Sequence, residues 1–219
     1  MTRDELDLAL PAPIPADEAI LWQGRPDWRA LARRAFRIQW VAGYFALLAL
    51  WSGGAAALDG LYAEAGIAVA KTAGLAALGL GVISALAWLS ARTSLYVITS
   101  RRVVMKVGVA LPVFFNLPFA SIASAGLARF SDGSGDVSLG FNPHDRIAYL
   151  HLWPHARPGH FTRPEPSLRA VADASGVAEI LGRALIAAHE GAREGAAAPR
   201  VRPARAEPAG VLRAARAQT

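Results

Sequence analysis

The sequence predicts a membrane α-helical hairpin followed by an α+β domain, a small antiparallel β-barrel or sandwich closed by a C-terminal helix. Three observations predict it. Two uncharged apolar runs, Ile38–Leu58 and Thr72–Ala91, lie close together. From residue 92 onward, short segments rich in β-formers alternate with turn residues. An apolar pattern of helical spacing, Val177, Ile180, Leu181, Ala184 and Leu185, comes last.

The runs are 21 and 20 residues long. At about 1.5 Å per residue, a helix of that length reaches roughly 30 Å, the thickness of a bilayer's hydrocarbon core. A signal peptide would start earlier, be shorter and lack a second span. Buried soluble helices of this length would carry a polar stripe. The link Asp59–Lys71 is short, so the helices are antiparallel neighbours. Arg25, Arg29, Arg33, Arg34 and Arg37 precede the first run, and Arg92, Arg101, Arg102 and Lys106 follow the second, whereas the link holds only Lys71. The excess of basic residues on one side places both termini in the cytoplasm of a multi-pass inner-membrane protein. Trp40 and Trp88 then lie at the cytoplasmic interface and Tyr62 near the opposite one.

Small residues recur every fourth position in the second run, at Ala73, Ala77, Gly81 and Ala85. Such a stripe lets helix backbones approach closely, either within the hairpin or against another chain's membrane helix.

The division expected from composition is an N-terminal segment at 1–37, the hairpin at 38–91, a cytoplasmic domain at 92–190 and a disordered basic tail at 191–219. The tail holds six arginines and two glutamates with almost nothing large and apolar, too little to offset the entropy of ordering. The formal charge of +6 comes from arginines beside the hairpin and in the tail. That placement points to anionic inner-membrane lipids and away from nucleic acid.

Within 92–190, Ser94–Thr99 and Val103–Val107 read as strands joined by a tight turn at Ser100–Arg102, with Gly108 ending the second. Val109–Leu117 alternates with period two, interrupted or kept at an edge by Pro112 and Pro118. Ile122–Phe130 and Val137–Phe141 flank the turn Asp132–Gly135. A second turn at Asn142–Asp145 leads to an alternating segment at Ile147–Trp153. Asp173 or Ser175 caps the final helix. The arrangement is that of a pleckstrin-homology-like (PH-like) domain, and another α+β fold fits the same pattern.

Several stretches carry a resemblance. Glu18–Pro26 (EAILWQGRP) ahead of a two-helix hairpin resembles the N-terminal signature of bacterial membrane proteins with a PH-like domain. Tyr96–Val104, Gly108 and Leu117–Ile122 are similar to the start of that domain. The proline-rich stretches His151–Pro158 and Arg163–Arg169 resemble the photosynthetic complex assembly protein PuhB family of purple bacteria. The likeness runs from about residue 16 to 189. It implies a non-enzymatic assembly factor in the intracytoplasmic membrane, with reaction-centre and core-antenna subunits as partners, acting alone or as a homodimer.

The residues fit a binding role rather than chemistry. No P-loop, G-x-S-x-G or H-E-x-x-H motif occurs. Of the five histidines (His144, His151, His155, His160 and His189), His151 and His155 are four apart, but Pro154 and Pro158 break any helix that would align them. No metal or cofactor is expected, and a histidine metalloenzyme is the weakest rival. Neither apolar run contains histidine to ligate a pigment. The candidate partner-binding residues are Trp22 and Arg25, Ala77, Gly81 and Ala85, Arg101 and Arg102, and Trp153 and His155. Arg101 and Arg102 also suit an anionic headgroup. The rival function is a general PH-like module in lipid or envelope homeostasis.

Overall fold

The computed structural model describes residues 10, 12–109, 111–141 and 149–197. In chain order the elements are β1 (Ile20–Gly24), α1 (Trp28–Arg34), α2 (Ile38–Leu58), α3 (Tyr62–Thr93), β2 (Leu95–Thr99), β3 (Arg102–Val107), β4 (Val113–Pro118), a 3-10 turn (Phe119–Ser121), β5 (Ile122–Arg129), β6 (Gly135–Phe141), α4 (Tyr149–Leu152), β7 (Ser167–Val171) and α5 (Ala174–Ala197).

Helices α2 and α3 are long and apolar enough to cross a membrane. Their outer faces leave Trp40, Leu47, Leu50, Trp51, Leu75 and Leu78 exposed, an apolar surface that water does not favour. The link is far shorter than the sequence suggests. The stretch 62–71, rich in alanine with Glu64 in its first turn, is a good helix former and extends α3 upstream. Three residues, Asp59–Leu61, remain between the helices. Within the hairpin, Ala65, Thr72 and Ala87 of α3 are buried, and Gly53 is the buried residue of α2. A Cβ on Gly53 would fall 2.4 Å from the Val69 side chain. Close backbone approach at this point therefore requires glycine.

The rest forms two antiparallel sheets. One is ordered β1-β2-β3-β4 and the other β5-β6-β7. Among the described residues no strand pairing joins them, so this is a two-sheet arrangement rather than a closed barrel. Tyr96, Ile98, Val103 and Met105 of the first sheet meet Ile122, Val137, Leu139 and Leu168 of the second. Helix α5 covers this core with Val177, Leu181, Ala184 and Leu185, and Asp173 caps it by accepting from the Gly176 N–H. Strand β2 is buried on both faces because Ile14 packs with Leu95, Val97 and Val104 on the outer side.

Four elements depart from the sequence reading. The N-terminal segment is not separate: β1 pairs along β2, with Trp22 opposite Ile98, and so belongs to the domain. Residues 149–152 form a helical turn instead of a strand. Strand β4 starts at Val113, four residues later than expected, because Gly108 takes φ +112° and reverses the chain against the Leu111 carbonyl. Helix α5 runs past residue 190 to Ala197, into the segment expected to be disordered. The turn at 142–145, His144, Ile147, Ala148, the His151 side chain and the tail from 198 onward lie outside the described residues.

Candidate functional site

Cations converge where the hairpin meets the domain. Asp27 begins this region by capping α1, its carboxylate accepting from the Arg29 and Ala30 N–H groups. Its own N–H donates to the Ala170 carbonyl of β7 at 2.8 Å. Ala30 and Leu31 are buried against Ala91 of α3 and Ala170. The helix is only seven residues long, so this docking rather than propensity holds it. The docking fixes Arg33 and Arg34 in its last turn, just ahead of Arg37 and α2.

These three arginines, Trp40, Phe130, Asp136, Pro158 and Arg169 line a cleft of about 250 Å³. The Arg34 guanidinium lies over the Phe130 ring, 3.3 Å from its centre. Arg33 and Arg34 reach Asp132 at 3.1 and 3.6 Å. The Ser134 hydroxyl, followed by these arginines, holds the Asp132 carboxyl below its ordinary range. Arg169 is buried and paired with Asp136 at 3.0 Å. A second cleft of about 220 Å³ lies beside the end of α3, lined by Arg25, Arg92 and Lys106. There Arg25 donates to the Arg92 carbonyl at 3.3 Å.

Beneath these clefts runs a buried polar chain. Ser94, the residue that joins α3 to β2, donates to the Ser90 carbonyl. His155 is fully buried, with Nε2 at 3.0 Å from the Ser94 hydroxyl and Nδ1 at 2.5 Å from the Tyr96 hydroxyl. Tyr96 Oη accepts from the Arg169 N–H. Burial, followed by the Arg169 charge, depresses the His155 imidazole to about 3, and burial pushes the Tyr96 phenol up. The Ser–His pairing has no access to solvent, so it serves as a joint and not as a nucleophile.

The predicted site residues scatter. His155 is interior, which removes it as a partner contact. Trp153 is half exposed and packs edge-on to Phe36 at 5.2 Å. Trp22 packs against the main core. Arg25 alone reaches a cleft at the hairpin base. Arg101 and Arg102 sit at the end of β2 and β3 away from the hairpin, since Leu95 opposite Lys106 marks the near end. At that end they lie apart from both basic clefts at the hairpin base. Arg101 pairs with Asp17, and Arg102 holds Glu18 through two bonds of 2.8 Å. Ala77, Gly81 and Ala85 lie on an exposed face of α3, about one helical position away from the hairpin contact. The clefts of Arg33, Arg34 and Arg37 and of Arg92 and Lys106 were visible in the sequence only as flanking charge. Their convergence depends on α1 docking against β7. Among the described residues no group of three metal-ligating side chains occurs.

Comparison with known proteins agrees with the architecture. A family described as the bacterial PH domain matches residues 40–185, hairpin included. A Rhodobacter capsulatus protein named "Uncharacterized 23.7 kDa protein in puhA 5'region" is 41% identical over 180 residues, covering 80% of this chain and 83% of the relative. No solved structure matches. The match through both helices and both sheets shows that the chain belongs to the bacterial PH domain family.

Proposed function

We propose that the protein is a non-enzymatic, membrane-anchored assembly factor for the photosynthetic reaction centre and its core antenna, of the PuhB type. The observation that carries this reading is the relative whose name places it in the puhA 5' region, a photosynthesis-gene context. The architecture suits the role. Helices α2 and α3 span the inner membrane with both termini cytoplasmic, as their arginine-rich flanks favour. The exposed small-residue face at Ala77, Gly81 and Ala85 receives a client's membrane helix. The two-sheet domain holds cytoplasmic segments of the same client. Its rigid joint to α3 keeps the two contacts in register.

The test is a mild-detergent pull-down of tagged protein from cells inducing their photosynthetic membranes, read by mass spectrometry and near-infrared absorption. Reaction-centre or antenna polypeptides at sub-stoichiometric amounts support the reading. A deletion strain with normal reaction centre and antenna overturns it. The second reading, a PH-like module in lipid or envelope homeostasis, draws on the two basic clefts at the hairpin base. Recovery of lipids and unrelated envelope proteins alone would favour it.

A further inference from the structure

Three features of the Arg34–Arg37 cleft go unexplained by folding alone. Arg37 sits at the N-cap of α2 with φ +51°, a left-handed conformation that is costly for a side chain other than glycine. Its side chain makes no capping bond, and among the described residues its guanidinium has no hydrogen-bond or ion-pair partner. A cation there also opposes the positive end of the helix dipole, and no acidic residue stands in the first turn to offset it. The second feature is Arg34 Nε, which is buried without a hydrogen-bond partner among the described residues. A buried donor left unmet is uncommon and calls for an acceptor. The third is the charge: four guanidiniums line or enter the cleft, against the Asp132 and Asp136 carboxylates.

We propose that this cleft binds the phosphodiester headgroup of an anionic phospholipid, with Arg34 and Arg37 as the gripping pair. Guanidiniums match phosphate oxygens through paired, charge-assisted hydrogen bonds. The helix N-terminus adds unpaired N–H groups and favourable dipole, turning a liability for Arg37 into a shared anion site. The position selects a lipid over a soluble anion. The cleft opens beside Trp40, which is three-quarters exposed at the start of the apolar helix. An indole there lies at headgroup depth, and the acyl chains continue along the exposed face of α2. The proposal rests on the membrane-spanning reading and not on the identity of any client.

The test uses the full-length protein in a neutral detergent. Phosphatidylglycerol, phosphatidylcholine or inorganic phosphate is added, melting temperature is followed, and retained lipid is counted by native mass spectrometry. Phosphatidylglycerol is expected to be retained about tenfold over phosphatidylcholine and to raise the melting temperature. Arg34→Gln and Arg37→Gly should each reduce retention about tenfold. Arg37→Gly is the sharper variant. Glycine accepts φ +51°, so the lipid-free variant melts at or above wild type while losing the lipid-dependent rise. A merely structural Arg37 would leave that rise intact. Arg101→Gln, at the far end of the sheet, should retain lipid as wild type does.

Equal retention of the two lipids, or retention unmoved by Arg37→Gly, overturns the proposal. Inorganic phosphate that competes as well as the lipid also overturns it, by assigning the cleft to a soluble anion. Carbonate flotation of wild-type membranes separates the failures. Protein that floats yet shows no preference sinks the lipid site alone, whereas protein that does not float sinks the membrane reading beneath it.

Discussion

His155 Nδ1 and the Tyr96 hydroxyl meet at 2.5 Å in the interior, and the groups around them fix the direction of every hydrogen bond. Ser94 donates its proton to the Ser90 carbonyl, so its oxygen is left to accept from His155 Nε2–H. Nδ1 is therefore the acceptor of a hydrogen bond donated by the Tyr96 hydroxyl, while Tyr96 Oη accepts from the Arg169 N–H. A single neutral tautomer satisfies the whole chain. It ties the last turn of α3 to β2, to β7 and to the loop holding His155. The joint makes α3 and the domain one piece.

Protonating His155 would turn an acceptor into a donor facing a hydroxyl, in a buried site beside the Arg169 charge. The imidazole is depressed to about 3 when folded against an ordinary 6.5. The unfolded chain thus binds the extra proton first, and stability falls as pH drops from 6.5 towards 3. Between pH 7 and pH 5 the loss is on the order of 2 kcal/mol. Scanning fluorimetry of detergent-solubilised protein should show this as a falling melting temperature. His155→Gln should melt lower at neutral pH, by about 1–3 kcal/mol in stability, and lose the dependence in that window.

Glu18 acts in a lower window. Its carboxylate is 3% exposed, receives two bonds from Arg102 and one from the Thr99 hydroxyl, and ties the segment just ahead of β1 to the β2–β3 turn. Burial alone would raise its pKa, but the Arg102 and Thr99 hydrogen bonds and the arginine charges together hold it below the ordinary 4.5. Its contribution is present at neutral pH and is lost as pH falls below that ordinary value. In the His155→Gln background the remaining acid sensitivity should therefore begin below about pH 4.5. Glu18→Ala leaves a largely buried guanidinium without its partner and should cost on the order of 2–3 kcal/mol, measured by the same melting experiment.

The hairpin, most strands and the closing helix were legible in the sequence because each follows a local rule. A bilayer demands length and apolarity, and a half-buried sheet demands alternation. Elements held by distant partners were not legible. The short segments ILWQG and WRALARR become β1 and α1 only through pairing with β2 and docking on β7. Arg169 looks like a surface residue in SLRAV, yet Asp136 neutralises it inside the sheet. His155 finds its partners 59 and 61 positions away. A reading that weighs neighbours in the chain places such a residue outside.

The two faces of the hairpin should separate under mutation. Gly53→Leu drives a side chain into Val69, where even a Cβ lies at 2.4 Å, and should force the helices apart. A lower melting temperature and poorer accumulation in membranes are expected, with a cost of about 1–3 kcal/mol. A Cβ on Gly81 would meet nothing within 4 Å, so Gly81→Leu should accumulate and melt as wild type does. Recovery of client polypeptides in the pull-down should drop for Gly81→Leu all the same. Normal recovery would show that this face is idle and leave the client contact to the domain.

Topology yields to a labelling experiment because the chain contains no cysteine. Gly60 is exposed in the three-residue link, and Ala187 is exposed on the outer side of α5. A thiol reagent that does not cross membranes should label Gly60→Cys in intact cells whose outer membrane has been permeabilised. Ala187→Cys should stay unlabelled until the inner membrane is opened. The reasoning is electrostatic: the arginines flanking α2 and α3 on the domain side favour the cytoplasm, and towards the far end of the hairpin only Lys71, within α3, opposes them. The reverse labelling pattern would place the basic clefts on the opposite side of the membrane, away from the anionic cytoplasmic leaflet. The assembly reading would fall with it, since the domain would then be separated from the cytoplasmic segments it is proposed to hold.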